Sequence, residues 1–498
     1  MKKGIQFLSI LFAVVILVST AACTPKNPGK TPDSTITTTE QPSDSIYDKN
    51  GFIKDGLPEL NYNDESIIVY HWTPSNPEFE IGEDETDPVS MSVFSRNAMV
   101  EERLKIIFDF RPVGISSGAE SSQFTTNIEA LVLNGEPFDI IAGYSRATPM
   151  CASKGYCLNL LDSEYLDVEK PWWPNSLVEE SKIGEKLYYA SGDISTNLLY
   201  NMTALLYNKR LLQDNHLESP VDLVKSDEWT FETLQRLLKD IGKDQNTNYK
   251  KDADDFFGLC TMDFYMEDIF EACGLRYYEK SSDEEGQLFK LSSSFYGSRS
   301  IDLSTDLLRW NDTDDVFFSS NEQTADPGKI FANGNAVFLL SSCDVINKSG
   351  LRDVQWSYGI VPWPKYDDEQ DDFSTATRYP FTMYGISSVC SDLNRAGAVL
   401  ECMASEAYRK VSPEVFQRTM KLKYSDTSAE SEMFDLLRST IIFENGRLLS
   451  QTQDSNMGPL FYGTVIGKKS WATVSRQEKG RLEIEIKKLS DLFADLEK

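Results

Sequence analysis

The sequence predicts an α/β protein with two lobes. Short apolar runs, which are typical of buried strands, alternate with stretches whose apolar residues recur at helical spacing. Of the 498 residues, about 435 follow a polar N-terminal stretch, which is more than one hydrophobic core usually serves. The chain is 40% hydrophobic and 11% aromatic, so it can fill two such cores.

The first lobe begins with three predicted strands and two predicted helices. The strands are residues 66–70, 106–110 and 138–142, and amphipathic helices at 93–104 and 124–133 lie between them. This alternation predicts a mainly parallel sheet. Because ligands bind beyond the carboxyl ends of such strands, the residues that follow them are the first binding candidates.

The rest of the chain continues the mixture of elements. Further strands or extended segments are predicted at 187–190, 204–208, within 331–340 and at 358–364. Helices are predicted at 230–240, at 395–408 and near the C-terminus.

The N-terminus has the organisation of a secretory signal. Lys2 and Lys3 precede an apolar run, residues 5–18, which is too short to span a membrane. The following Ser-Thr-Ala-Ala-Cys resembles a bacterial lipobox, so residues 1–22 are predicted to be removed and Cys23 to carry the lipid. Thr20 departs from the usual Leu, and ordinary cleavage beside an incidental cysteine is the alternative. Residues 23–60, rich in Thr, Pro and Ser, are predicted to be a disordered tether at the outer face of the cell membrane.

Composition excludes several classes of function. The formal net charge of −29 opposes binding to nucleic acid, whose phosphates it repels. The chain has two histidines and lacks phosphate-loop, dinucleotide-binding and nucleophile-elbow motifs, so the common enzyme signatures are absent. Seven cysteines remain after Cys23, an odd number that cannot all pair, and most are interpreted as small buried hydrophobes.

Six segments, in this order, resemble the extracellular solute-binding proteins of bacterial ABC importers (family 1), in particular the carbohydrate-binding class that includes maltose-binding protein. The segments are 138–144 (FDIIAGY), 187–190 (LYYA), 205–212 (LLYNKRLL), 229–234 (WTFETL), 331–337 (FANGNAV) and 358–362 (YGIVP).

This resemblance implies a two-lobed periplasmic-binding-protein-like fold whose lobes close on a solute through crossing hinge segments. Crossings are expected near 203–207, 336–341 and 381–385. Lobe one is then expected at 61–202 and 342–382, and lobe two at 203–341 and 383–498. The implied partner is the permease of an ABC importer, and the implied protein is a monomer that uses no cofactor and catalyses nothing.

A carbohydrate site needs aromatic faces for the sugar ring and polar groups for its hydroxyls. The loop positions nominate six residues: Trp72, Tyr144, Asp193, Asp344, Arg378 and Tyr379. Each has a structural alternative. Trp72 is equally suited to capping the core of its lobe, the two aspartates to turns or helix caps, and Arg378 to pairing with the acidic loop before it.

Two other functions are weighed against this one. A secreted glycoside hydrolase needs only two carboxylates, which are abundant here. The same fold also accommodates a peptide, a polyamine or another small solute. In addition, residues 244–255 place oxygen side chains at several positions of a calcium-binding loop, although Tyr249 replaces the turn glycine and Asp255 the final glutamate. No metal site is predicted.

Overall fold

Two mixed β-sheets organise the chain. The computed structural model describes residues 46–48, 50–82, 84–281, 287–419, 427–449, 459–494 and 496. The strands are β1 (Glu65–His71), β2 (Ile106–Pro112), β3 (Ile140–Tyr144), β4 (Thr203–Asn208), β5 (Phe257–Met262), β6 (Tyr278–Lys280), β7 (Phe289–Leu291), β8 (Val316–Ser319), β9 (Ala336–Ser342), β10 (Tyr358–Val361) and β11 (Thr382–Ile386).

Helices surround both sheets. They are α1 (Pro88–Leu104), α2 (Ser121–Leu133), α3 (Ala147–Ser153), α4 (Asn175–Ser181), α5 (Thr196–Asn201), α6 (Lys209–Asp214), α7 (Pro220–Lys225), α8 (Phe231–Leu238), α9 (Met266–Ala272), α10 (Ser298–Asp312), α11 (Pro327–Ala332), α12 (Val345–Lys348), α13 (Leu393–Glu406), α14 (Ser412–Thr419), α15 (Thr427–Ser439), α16 (Asn445–Leu448), α17 (Leu460–Ile466) and α18 (Trp471–Ala494).

The first sheet has four strands in the order β11-β3-β1-β2. Strand β1 is parallel to β2 and β3, and β11 is antiparallel to β3. The second sheet has five strands in the order β10-β4-β9-β5-β8. Its β5 runs parallel to β8 and β9, whereas β4 is antiparallel to β9 and β10. The predicted α/β class is therefore confirmed.

Helix ends follow local chemistry. Asp87 caps α1 by accepting a hydrogen bond from the Ser90 amide, and Pro88 occupies the first turn, where its missing N–H costs nothing. Lys105, with φ of 54°, ends this helix in the left-handed conformation. Such caps limit α1 to the segment between β1 and β2 and allow its buried face to pack on the sheet.

Most predicted elements match the structure, but residues 187–190 do not form a strand. Of this segment, only Ala190 exchanges backbone hydrogen bonds with Tyr384 of β11. Its aromatic and apolar side chains are nevertheless buried, which is the property that produced the strand-like pattern.

Sheet membership differs from the predicted crossings and lobes. The predicted crossing at 336–341 lies inside β9, whose neighbours β4 and β5 both belong to the five-stranded sheet, so the chain does not change sheets there. It changes sheets between β3 and β4 and again between β10 and β11. Strand β10, placed in lobe one by the prediction, therefore pairs in the same sheet as β4. The lobe boundaries themselves stay a prediction, because contacts group Phe52–Lys498 into one unit.

The remaining unit, Met1–Gly51, is described only at residues 46–48, 50 and 51. The predicted signal sequence, Cys23 and most of the predicted tether lie outside the described residues. The last part of that tether, from Phe52 to residue 60, belongs instead to the folded unit, where Asp55 is buried and pairs with Arg103. Among the residues that are described, no helix is both long and apolar enough to cross a membrane.

Candidate functional site

The carboxyl ends of strands from both sheets meet at the segment before β11. Strand β3 ends at Tyr144 and β5 ends at Met262, and Arg378 and Tyr379 lie where residues following these strands come together. Ser145, directly after β3, donates a 2.5 Å hydrogen bond to the Tyr379 carbonyl. This is the position at which α/β sheets present ligand-binding loops.

Tyr144 is supported from behind by Trp72. The two rings meet edge to face with centroids 5.2 Å apart. The Trp72 indole is fully buried, and its Nε1 donates a 2.8 Å hydrogen bond to Thr382 Oγ1 of β11. Burial raises the pKa of Tyr144 above its ordinary value, whereas nearby Arg146 and Arg378 lower it. Trp72 therefore supports the Tyr144 ring. Because it is fully buried, it is not exposed to a solute in the cleft between the two sheets.

Arg378 joins the two sheets. Its guanidinium lies 4.3 Å from the centre of the Phe264 ring and 5.2 Å from that of Tyr265, both just after β5. It also forms an ion pair with Asp268 Oδ1 at 3.5 Å, and its side chain remains 24% exposed. An arginine that stacks on aromatic rings and keeps exposed donors is suited to orienting a polar solute.

Tyr379 lies among cations. Arg146 places its guanidinium 3.9 Å from the Tyr379 ring centre, and Arg447 lies 4.8 Å from the same centre. Tyr379 is buried, and burial raises the pKa of its hydroxyl. The ring therefore acts as a support that fixes Arg146.

A buried acidic cluster on α9 anchors this assembly. Arg447 pairs with Asp268 at 3.1 Å and with Glu271, and Thr203 Oγ1 donates a 3.0 Å hydrogen bond to Asp268. Burial raises the pKa of Glu271 and that of neighbouring Glu267 above the usual carboxyl range. The cluster orients Arg447 against the Tyr379 ring, and Asp268 also pairs with Arg378.

A groove of about 170 Å³ opens at the carboxyl ends of β5 and β9. Tyr265 forms one wall, and its hydroxyl accepts a 2.7 Å hydrogen bond from the Ser342 amide. Aromatic, hydroxyl and charged side chains share the lining, which includes Phe264, Tyr265, Glu322, Asp326, Ser341, Ser342, Lys348 and Ser349.

Two nominated aspartates are not exposed to the cleft. Asp193 is fully buried, accepting hydrogen bonds from Ser412 Oγ at 2.5 Å and from Arg438 at 2.9 Å. Burial raises its pKa, which these two partners oppose. Asp344 is also buried and forms ion pairs with Lys348, which does line the groove.

The structure thus brings together Tyr144, Arg378 and Tyr379, with Trp72 behind them. It adds Arg146, Phe264 and Tyr265, which sequence reasoning missed. Arg146 lies two residues beyond Tyr144, which ends the segment at 138–144 that carries the family resemblance. Because Tyr144 was nominated from that segment, its neighbour Arg146 could have been nominated with it. The other two residues follow β5, a strand that was not predicted.

Several carboxylate oxygens of the loop at 244–255 accept hydrogen bonds from amides of the same loop, whereas Asp244 Oδ1 is buried without a hydrogen-bond partner among the residues that the structure describes. Asp244 accepts from the Tyr249 amide at 2.9 Å, and Asp255 accepts from the amides of Gln245 and Asp252, both at 3.1 Å. Within the described ranges, no group of three His, Cys, Asp or Glu side chains is arranged to hold a metal ion.

No protein-family model matches the sequence, and no curated protein matches it. Solved structures match its fold. A cyclo/maltodextrin-binding protein with bound maltotetraose gives a TM-score of 0.55 at 12% identity, covering 84% of this chain and 96% of that chain. The ABC substrate-binding protein Lmo0181 from Listeria monocytogenes, in complex with cycloalternan, gives 0.52 at 13% identity over 85% and 98%.

UgpB from Mycobacterium tuberculosis, in complex with glycerophosphocholine, has a TM-score of 0.51 at 14% identity, covering 84% of this chain and 98% of that chain. These likenesses establish the fold. The chain has the α/β fold of periplasmic-type solute-binding proteins of ABC transporters, as the sequence predicted.

Proposed function

We propose that this protein captures a carbohydrate between its two sheets and delivers it to the permease of an ABC importer. The groove beside Phe264 and Tyr265 carries the proposal. It combines aromatic surface, suited to the apolar face of a sugar ring, with hydroxyl and charged groups suited to the sugar's hydroxyls. Tyr144 and Arg146 approach from the other sheet.

The fold supports a binding role in which no bond is made or broken. A solute that contacts both sheets favours the closed arrangement, and a permease can recognise that arrangement. The proteins named above, which share the fold at low identity, are binding proteins that hold maltotetraose, cycloalternan and glycerophosphocholine.

The groove carboxylates also favour binding over hydrolysis. Glycoside hydrolases need two carboxyl groups free to act on the scissile bond. Asp326, one of two carboxylates lining the groove, accepts hydrogen bonds from the Gly328 and Lys329 amides at 2.9 and 3.4 Å and caps α11. Its Oδ1 is thus occupied by the backbone, and its Oδ2 forms an ion pair with Lys329 Nζ at 3.6 Å.

The proposal extends to the chain's location. The predicted leader and Cys23 support export and attachment of a lipid, and the part of residues 23–60 that precedes Phe52 would let the binding unit reach a permease from the outer face of the membrane. One binding unit suffices for delivery, so the protein is proposed to act as a monomer.

Isothermal titration calorimetry on the purified full chain, in mild detergent, tests the function. The ligands are mono- and oligosaccharides, amino acids, short peptides and polyamines. We expect saturable heat with one saccharide class and chemically unaltered sugar after long incubation. Binding of peptides or polyamines alone would overturn the carbohydrate assignment, and release of shorter sugars would overturn the non-catalytic role.

A further inference from the structure

Among the described residues, Arg146 is a cation without a carboxylate partner at the candidate site. It lies just after β3, half-buried, and its Nε is buried without a hydrogen-bond acceptor. Among the described residues, no carboxylate pairs with its guanidinium, and its one ring contact is with Tyr379 at 3.9 Å. A partly desolvated guanidinium with unused donors is costly unless an acceptor reaches it.

Three other arginines in the described part of the chain have carboxylate partners. Arg103 pairs with Asp55, Arg395 with Asp139 and Arg438 with Asp193. The chain contains 78 acidic residues against 49 basic ones, so acidic partners are plentiful. Arg146 differs from these three arginines in having no carboxylate partner among the described residues.

Arg378 adds a second cation whose charge is only partly matched. Its one carboxylate partner, Asp268, uses the same oxygen to contact Arg447, at 3.1 Å against 3.5 Å for Arg378. The second carboxyl beside Arg447 is Glu271, which forms its ion pair with Arg447. The donors of Arg378 that remain exposed are available to a ligand.

Both cations act at one place. The Arg146 guanidinium stacks on the Tyr379 ring at 3.9 Å, and Arg378 directly precedes Tyr379 in the chain. Ser145, which lies between Tyr144 and Arg146, donates a 2.5 Å hydrogen bond to the Tyr379 carbonyl, so the two cations lie on neighbouring segments. The carboxylates that line the groove, Glu322 and Asp326, lie with the residues of the five-stranded sheet, whereas Arg146 does not line that groove. The cleft between the two sheets thus has two different ends. Arg146 and Arg378 make the end beside Tyr144 cationic, and the end beyond Phe264 is lined by polar groups of both charges.

We propose that the carbohydrate bound here carries an anionic group, a carboxylate or a phosphate, which Arg146 and Arg378 hold beside Tyr144. This inference rests on the proposed function, since it assigns a charge to the sugar. A planar guanidinium donates two parallel hydrogen bonds to either anion, and charge-assisted bonds of this kind are the strong ones. The sugar ring and its hydroxyls would extend towards Phe264 and the groove.

Calorimetry with matched ligand pairs tests the charge directly. Oligogalacturonate is compared with its methyl ester, and glucose 6-phosphate with glucose, on the same full chain in mild detergent, with inorganic phosphate alone as a third arm. We expect one acidic sugar to bind at least about tenfold more tightly than its uncharged partner, and added salt to weaken that preference. The two pairs separate a carboxylate from a phosphate.

Variants connect the preference to the residue. In Arg146→Gln the acidic sugar should bind about tenfold more weakly, and it should lose more affinity than its uncharged partner does, whereas Arg146→Lys should retain part of the preference. Arg236→Gln is the matched control, since Arg236 is exposed and pairs only with Glu218. Circular dichroism checks that each variant is folded.

The outcomes separate the two proposals. Equal binding of charged and uncharged sugars would overturn the anionic assignment, and an acidic preference that survives in Arg146→Gln would overturn the role of Arg146. Both results leave the carbohydrate function standing. Failure of every saccharide and of inorganic phosphate to bind would overturn both proposals. Inorganic phosphate that binds through Arg146 when no sugar binds would support the anion site and overturn the carbohydrate function.

Discussion

The guanidinium of Arg378 lies 4.3 Å from the centre of the Phe264 ring. Arg378 precedes β11 of the four-stranded sheet, and Phe264 follows β5 of the five-stranded sheet. A cation–π contact contributes about 0.5–2 kcal/mol, depending on how far water is excluded. This pair therefore links residues from the two sheets at the place where a solute is proposed to bind.

Replacing Phe264 with alanine should weaken solute binding about tenfold, because both a wall of the groove and the stacking surface of Arg378 are lost. The half-buried ring contributes less to the core, so the free energy of unfolding should change by only about 1 kcal/mol. Calorimetry and urea titration measure the two effects. Tyr296→Ala, which removes an exposed ring just before α10, is the control. Unchanged affinity in Phe264→Ala would show that this wall of the groove does not contact the solute.

Asp193→Asn should destabilise folding and leave solute affinity unchanged. The substitution leaves the Arg438 guanidinium buried without its charged partner, which typically costs about 3–5 kcal/mol. Urea unfolding followed by tryptophan fluorescence measures this loss. Asp435→Asn removes the exposed carboxylate beside the same arginine and should cost at most about 1 kcal/mol. A stable Asp193→Asn protein that no longer binds solute would instead restore Asp193 to the binding site.

Local pattern was sufficient for much of the fold. The predicted runs at 66–70 and 106–110 became β1 and β2, and the helical spacing at 93–104 lies within α1. Sheet membership was less accessible, because pairing joins residues distant in sequence. Strand β10 pairs with β4, which lies about 150 residues earlier, and no local property of the sequence distinguishes this partner from β3.

The candidate site, like the fold, could be predicted from the sequence only in part. Tyr144, Arg378 and Tyr379 were nominated from loop positions, and the structure brings them together. Asp193 followed the same reasoning, but its partner Arg438 lies 245 residues further along. An aspartate after a buried segment has the same local sequence whether it faces a solute or an arginine of a packed helix, so only the tertiary structure distinguishes the two roles.

Cys23→Ser should abolish attachment of the lipid. If residues 1–22 are a lipoprotein signal, acylation needs the cysteine thiol, which serine does not supply. Metabolic labelling with radioactive palmitate, followed by gel electrophoresis, should detect the parent chain and not the variant. Cys390→Ser, at a half-buried cysteine of the folded unit, is the control and should stay labelled. Labelling of both variants would contradict the assignment of Cys23.

The side chain of Glu401 on α13 makes stability depend on pH. Its two oxygens accept hydrogen bonds from Trp172 Nε1 at 3.0 Å and Trp173 Nε1 at 2.9 Å, with both indoles buried. Burial raises the pKa of this carboxyl from 4.5 to about 8, against the lowering effect of these hydrogen bonds. The folded state therefore binds a proton that the unfolded chain releases between these two values.

Because the folded pKa is the higher one, the contribution of protonated Glu401 to stability is complete below the unfolded pKa of 4.5 and disappears as the pH rises through about 8. Between pH 4.5 and about 8, the free energy of unfolding of Glu401→Gln should change less steeply with pH than that of the parent chain, by up to about 1.4 kcal/mol per pH unit. The substitution should also lower stability at pH 5 by about 1–3 kcal/mol, since an amide has one acceptor oxygen for two indole N–H groups. Urea unfolding at pH 5, 7 and 9 measures both effects. The exposed Glu483→Gln is the control, and parallel pH profiles for Glu401→Gln and the parent chain would show that Glu401 titrates alike in both states.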